Sequence, residues 1–220
     1  MFEEGPLEFM VRWHLYRRWK SHCSTFRRAE LGFHRALRRF PRGSFFIDLG
    51  ANVGDISLAA RRHGMKVIAF EPDPVARAIL VDRTQNDPNI TVVPKAVGGS
   101  ARIATFYQRP DVQDDQLNTQ SSSLVLTHEH KDGQSFDVEV VDIVEFLRGL
   151  DGHVAAIKMD IEGAEIECLQ AILDAGMHRN VGHMFVETHE RFSQDLLDRT
   201  VHLRDRIRAE NIDNIDLNWV

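Results

Sequence analysis

The chain has 220 residues, 43% of them hydrophobic and 27% charged, with a net charge of −6. That balance fits one folded domain with a short arm and excludes a disordered chain; the acidic balance argues against a general nucleic-acid binder. No apolar run approaches the roughly 18 residues a membrane span needs, and no secretory signal is read at the N-terminus. The only cysteines, Cys23 and Cys168, cannot build a disulfide scaffold or a Cys-only zinc site, so a reducing, cytoplasmic setting is expected.

The first 42 residues differ from the rest. They carry ten Lys/Arg and four acids, a surplus of +6 against −12 for the remainder. Apolar residues recur at helical spacing from Leu7 to Phe40, with Ser21 to Thr25 as a break. Residues 1–42 therefore read as a basic helical arm and 43–220 as the main domain. Phe26, Phe33, Leu37 and Phe40 are expected to cover the sheet edge beside a ligand, as a lid. A dimer contact is a second reading. A third is peripheral membrane contact, from Phe9, Trp13, Tyr16 and Trp19 among arginines.

After Gly43 the pattern becomes strand-helix alternation. Strands are expected at 44–48, 66–70 and 90–93, with helices at 55–63 and 74–85. Val97 to Tyr107 reads as a hairpin turning at Gly98-Gly99. Residues 108–134 read as a long polar loop, and 136–141 as an edge strand. The alternation resumes with strands at 154–159, 182–187 and 215–219 and helices at 164–173 and 192–210. This order points to an α/β fold of βαβ units, a mostly parallel central sheet with helices on both faces.

The sharpest motif is Asp48-Leu49-Gly50-Ala51-Asn52-Val53-Gly54, a glycine turn at the carboxyl end of the first strand, where open α/β sheets bind ligands. Gly50 and Gly54 let backbone approach closely. Asp48 would repel a pyrophosphate at the helix N-terminus, which speaks against a dinucleotide. It suits a ligand with an ammonium group and no phosphate, such as S-adenosylmethionine. The plainer reading is a tight turn with a capping Asp. Phe70-Glu71-Pro72 ends the second strand, and Glu71 lies 21 residues after Gly50. An acid there accepts hydrogen bonds from ribose hydroxyls, and Pro72 stops the strand. Pro94 to Val97, including Ala96, ends the third strand, where an adenine ring would lie.

These two motifs, together with Ser121-Ser122-Ser123-Leu124 and Ile157-Lys158-Met159-Asp160-Ile161-Glu162-Gly163-Ala164-Glu165, resemble the FkbM family of S-adenosylmethionine-dependent methyltransferases. The resemblance runs from about Phe45 to His189 and leaves out the arm. It implies a Rossmann-like class I methyltransferase fold and methyl transfer to a hydroxyl of a sugar or natural product. Bound cofactor would touch Asp48, Gly50, Asn52, Gly54, Glu71, Pro72, Ala96, Ser122 and Asp160. The tail after Trp219 leaves no room for another strand, so the usual seven-stranded sheet is expected to be incomplete or rearranged.

Asp160, Glu162, Glu165, Glu187 and His189 cluster at the ends of the next two strands. Strand geometry would send Asp160 and Glu162 to opposite faces. In one reading His189 or Asp160, with Glu187, handles the proton of an acceptor hydroxyl; a histidine near its ordinary pKa of 6.5 suits that task. In another, Asp160, Glu187 and His189 hold magnesium or manganese. In the third, Glu162 and Glu165 serve only the next helix's N-terminal turn. His128-Glu129-His130 reads as solvated loop, and Cys168 as core. The expected partner is a small-molecule or saccharide hydroxyl acceptor, without nucleic acid, and a homo-oligomer is left open. Two other functions compete: a non-catalytic adenosine-ligand binding subunit and a nicotinamide-dependent oxidoreductase.

Overall fold

A computed structural model describes residues 31–85, 87–108, 123–125, 130 and 133–219. Strand β1 (Phe45–Leu49) leads through the glycine turn into α1 (Asp55–Arg62), followed by β2 (Lys66–Phe70), α2 (Pro74–Thr84) and β3 (Ile90–Val93). Next come β4 (Ala96–Gly98), β5 (Arg102–Tyr107), β6 (Ser135–Asp142) and α3 (Ile143–Arg148). The chain then forms β7 (Val154–Met159), α4 (Glu165–Asp174), β8 (Val181–Val186), α5 (Gln194–Ala209) and β9 (Ile215–Asp216).

The main sheet has six strands in the order β3-β2-β1-β7-β8-β9, all parallel. The order reverses between β1 and β7, so the carboxyl ends of these two strands frame the crevice of an open α/β sheet. No antiparallel strand joins this sheet among the described residues. β7 is buried along its whole length, as a central parallel strand should be.

Side-chain alternation sends the two sheet faces into two cores. One face packs against α3, α4 and α5 through Ile47, Leu49, Ile157, Leu169 and Leu203. The other packs against α1, α2 and the helical residues 31–37 through Phe46, Ala60, Leu80 and Phe33. Local chemistry sets the helix starts. Asp73 accepts from Val75 N at 2.8 Å with Pro74 as the first helical residue of α2, and Asp142 accepts from Val144 N at 2.8 Å at α3.

Three expectations are corrected here. The hairpin at 97–107 does not form: β4 and β5 both pair with β6 instead, in a separate three-stranded sheet ordered β4-β6-β5. The strand at 136–141 is accordingly the centre of that sheet rather than an edge. Finally, Phe33, Leu37 and Phe40 do not cover the ligand edge. Phe33 and Leu37 are buried on the sheet face, Phe33 with its ring 5.7 Å from Phe46 and 5.5 Å from Trp219. Phe40 lies 5.7 Å from His153 and fills the space above Gly182, at the amino ends of β7 and β8. Burial of large aromatic surface favours this placement of Phe33. The rest of the arm, with Phe26 and Cys23, lies outside the described residues. No helix among the described residues is long and apolar enough to cross a membrane.

Candidate active site

The glycine turn doubles back from β1 and is pinned by the Phe70 carbonyl, which accepts from Gly50 N at 3.1 Å and Ala51 N at 2.9 Å. Gly50 has φ +75°, and a Cβ there would lie 1.9 Å from the Asp160 carbonyl oxygen. Only glycine lets the tips of β1 and β7 meet this closely, so the close approach made at Gly50 is to the protein's own backbone.

Asp48 is fully buried. Its Oδ2 accepts from Ser57 Oγ at 2.6 Å, and its Oδ1 lies 3.6 Å from Lys158 Nζ without a hydrogen bond. Burial pushes the Asp48 carboxyl above its usual range, against the pull of Lys158 and Ser57. Lys158 is 4% exposed; its Nζ donates to Gly50 O at 2.7 Å and lies 3.3 Å from Asp160 Oδ2. Burial works against the Lys158 charge, yet Asp160 and Asp48 together raise its pKa. Asp48, expected to meet a ligand's ammonium group, has the lysine ammonium of the neighbouring strand β7 beside it. Lys158 and Ser57 were missed in the sequence. The available signal was a lone lysine inside the apolar run Val154–Met159, which burial obliges to find a carboxylate.

Glu71 stands at the tip of β2, as read from the sequence, buried with Pro72 beside it. Its Oε2 accepts from Asn52 N at 2.7 Å and its Oε1 from Asp73 N at 2.8 Å. Burial pushes its pKa up to about 7, although both backbone bonds favour the carboxylate. A carboxylate has about four acceptor sites, so two remain for a vicinal diol. Ala96 is buried at the start of β4, beyond the end of β3.

The second cluster assembles around His189. Its Nδ1 lies 2.9 Å from Glu165 Oε1, and Glu165 also accepts from Ile161 N at 2.8 Å and Gly163 N at 3.0 Å. Glu165 thus serves the turn before α4 and holds the imidazole at once. The Nε2 faces Glu162 Oε2 at 3.2 Å, Asp160 Oδ1 at 3.8 Å and Glu187 Oε1 at 4.0 Å. Asp160 and Glu162 do not diverge to opposite faces. Strand geometry ends at Met159, and Glu162 adopts φ +55°, which turns its side chain back to Asp160's side.

Burial opposes charge on His189, but the Glu165 hydrogen bond with Glu165, Glu162 and Asp160 pushes its pKa up to about 9. It does not keep the ordinary value expected for it. Burial raises Glu162 to about 8, and burial with Asp160 raises Glu187 above its usual range. Asp160 and Glu187 are the accessible members, with side chains 31% and 27% exposed against 1% for His189.

One described stretch of the long loop docks on this turn. Ser123 pairs with Tyr107 and its Oγ donates to Glu162 O at 2.5 Å. Val125 fills the space where Gly163, at φ +110°, lacks a Cβ. Ser122, Ser121, His128 and Glu129 lie outside the described residues. His130 is buried with its ring 6.1 Å from that of Tyr107, and Cys168 is core as expected.

Residues 48–212 match the methyltransferase FkbM domain. No curated protein matches the chain. Among solved structures, it is similar to a chain from Anabaena variabilis assigned to methyltransferases of an antibiotic biosynthesis pathway. That match has 28% identity over 32% of this chain and 26% of the other, with a TM-score of 0.26. It is also similar to a precorrin-6y C5,15-methyltransferase from Geobacter metallireducens, at 14% identity over 79% and 69%, TM-score 0.41. A TehB-like S-adenosylmethionine-dependent methyltransferase from Corynebacterium glutamicum is 13% identical over 90% and 81%, TM-score 0.37. The chain thus spans about a quarter of the length of the first of these relatives. The structural likenesses are too weak to carry an argument about activity.

Proposed function

The chain belongs to the methyltransferase FkbM family, and from that premise we propose that it moves a methyl group from S-adenosylmethionine to a hydroxyl oxygen of a small molecule or saccharide. The observation that supports this most is the pairing of two carboxyl groupings on one sheet edge. Glu71 sits at the tip of β2, and Asp160, Glu187 and His189 sit past the tips of β7 and β8. Between them lies the Gly50 turn.

The donor set fits the cofactor. Glu71 is a buried carboxylate with unused acceptor sites for ribose hydroxyls, and Asn52 N and Asp73 N hold it in place. Gly50, Asn52, Gly54 and Pro72 would frame the ligand there, and Ala96 would meet the base. Ser122 stays in the proposed set on the family resemblance alone. Asp48 acts at one remove, by fixing Lys158 and through it the Leu49–Gly50 carbonyls. When bound, S-adenosylmethionine supplies an electrophilic methyl group on a sulfonium.

A hydroxyl must lose its proton as it gains a methyl group, so an oxygen acceptor needs a proton acceptor nearby. Asp160 and Glu187 are the exposed carboxylates of the cluster and stand where such an acceptor would approach. Buried His189, tied to Glu165, holds its Nε2 3.8 Å from Asp160 and 4.0 Å from Glu187. The test is calorimetric titration with S-adenosylhomocysteine and with a nicotinamide dinucleotide. Methyl-labelled S-adenosylmethionine is then offered with a panel of sugars and phenols. The proposal expects binding of the first ligand only, and label in an alkali-stable ether. Cofactor binding with no label transferred to any hydroxyl would favour the binding-subunit alternative.

A further inference from the structure

We propose that the turn after β7 is a divalent-cation site, with Asp160, Glu162 and the Nε2 of His189 as ligands. The three ligand atoms lie within 4.8 Å of one another. Around an ion with bonds of about 2.1 Å, neighbouring ligand atoms stand roughly 3.0 Å apart. The Nε2 is already 3.2 Å from Glu162 and 3.8 Å from Asp160, so small side-chain rotations close the set.

This is more than a group of acids. The nitrogen donor belongs to a side chain 1% exposed and aimed into the cluster. Its far nitrogen is held by Glu165, and Glu165 is fixed in turn by two backbone N–H groups. A carboxylate on Nδ1 that leaves Nε2 to face the ligand position is the arrangement that orients metal-bound imidazoles and sets their tautomer. Sequence order adds a third element: the ligands come from the end of β7, the turn before α4 and the segment after β8.

Charge points the same way. Asp160, Glu162 and Glu187 converge on the Nε2 of His189, with Glu165 behind the ring on Nδ1. The cations close by are Lys158, which Asp48 shares, and His189 itself. Arg191, exposed and 5.0 Å over the Phe192 ring, adds a weaker pull on Glu162 and Glu187. An oxyanion forming among these carboxylates would be repelled; a doubly charged ion inverts that field. The mixed nitrogen and oxygen donors suit manganese or another first-row ion better than magnesium alone.

The functional role rests on the methyl-transfer reading. The cation would bind the acceptor oxygen and ease loss of its proton to Glu187; that oxygen would then take the methyl carbon of S-adenosylmethionine as its carbon–sulfur bond breaks, and S-adenosylhomocysteine would leave with the electron pair on sulfur. The site itself does not depend on that reading.

The test uses the full chain, stripped with chelator, titrated with manganese and followed by the paramagnetic resonance of the free ion. Saturable binding at a single site is expected. Asp160→Asn and Glu162→Gln should each weaken it at least about tenfold, as outer-shell changes alone do at metal sites. Thermal unfolding checks that each variant folds, and His189→Gln replaces any that does not. No saturable binding, or binding unchanged in folded variants, overturns the site. Calorimetry of S-adenosylhomocysteine on the stripped protein separates the two claims. Nucleoside binding without manganese binding would sink the cation site alone, and the reverse would sink the cofactor reading alone.

Discussion

Replacing Glu71 with Gln changes one oxygen to an amide and little in volume. The native carboxylate accepts from two backbone N–H groups, at 2.7 and 2.8 Å. The amide can accept at one end only, so its NH₂ must face Asn52 N or Asp73 N. One ribose hydroxyl also loses a charged acceptor. Charge-assisted hydrogen bonds are worth about 1.5–3 kcal/mol, which predicts a roughly 10- to 150-fold loss of S-adenosylhomocysteine affinity. A pH signature accompanies it. Glu71 in the free protein has its pKa pushed up to about 7 by burial. Two donating hydroxyls favour the carboxylate, so the bound pKa is lower than the free one. Affinity of the native chain should therefore fall as pH drops through 7, approaching about tenfold per unit, until the bound pKa is reached. The component of this slope that disappears in Glu71→Gln belongs to Glu71. Calorimetry of both proteins between about pH 8 and about pH 5.5, at least about one unit on either side of that pKa, reads it. An affinity unchanged in the variant, or identical pH slopes in the two proteins, would refute the ribose assignment.

Glu71 also shapes stability. Its raised pKa means a contribution fully present below about 4.5 and lost as pH rises through about 7, worth about 3 kcal/mol. Urea unfolding of native and Glu71→Gln chains against pH should converge or cross in that window, and parallel curves would contradict it. Lys158→Met leaves Asp48 buried with only Ser57 as partner and should cost about 3–5 kcal/mol in the same assay; an unchanged midpoint would show that the pair is idle. Glu187→Gln should lower turnover roughly 10²-fold or more while S-adenosylhomocysteine affinity stays within about twofold. Full turnover would remove Glu187 from the chemistry.

The periodic parts of the fold were legible. Strands 66–70, 90–93 and 154–159 coincide with the structure because short apolar runs bounded by Gly, Pro and Asp leave few alternatives. The region from Ala96 to Asp142 was not. Gly98-Gly99 looks like a hairpin turn locally, yet β4 and β5 find a better partner in β6, beyond the long loop, and no local pattern announces such a pairing. The six-residue helix α3 is too short for its period to stand out. In the site, residue types at strand tips placed Glu71, Asp160, Glu187 and His189 on one edge. What escaped was direction: Glu162's left-handed backbone, Glu165's double duty and the inward turn of Lys158 all depend on how β1 and β7 meet.

A crystal structure of the chain with S-adenosylhomocysteine is the most direct measurement. The ribose hydroxyls should lie on Glu71 and the sulfur should open toward Asp160 and Glu187. A ligand bound away from Glu71, or with its sulfur turned from those two carboxylates, would contradict methyl transfer at this edge of the sheet.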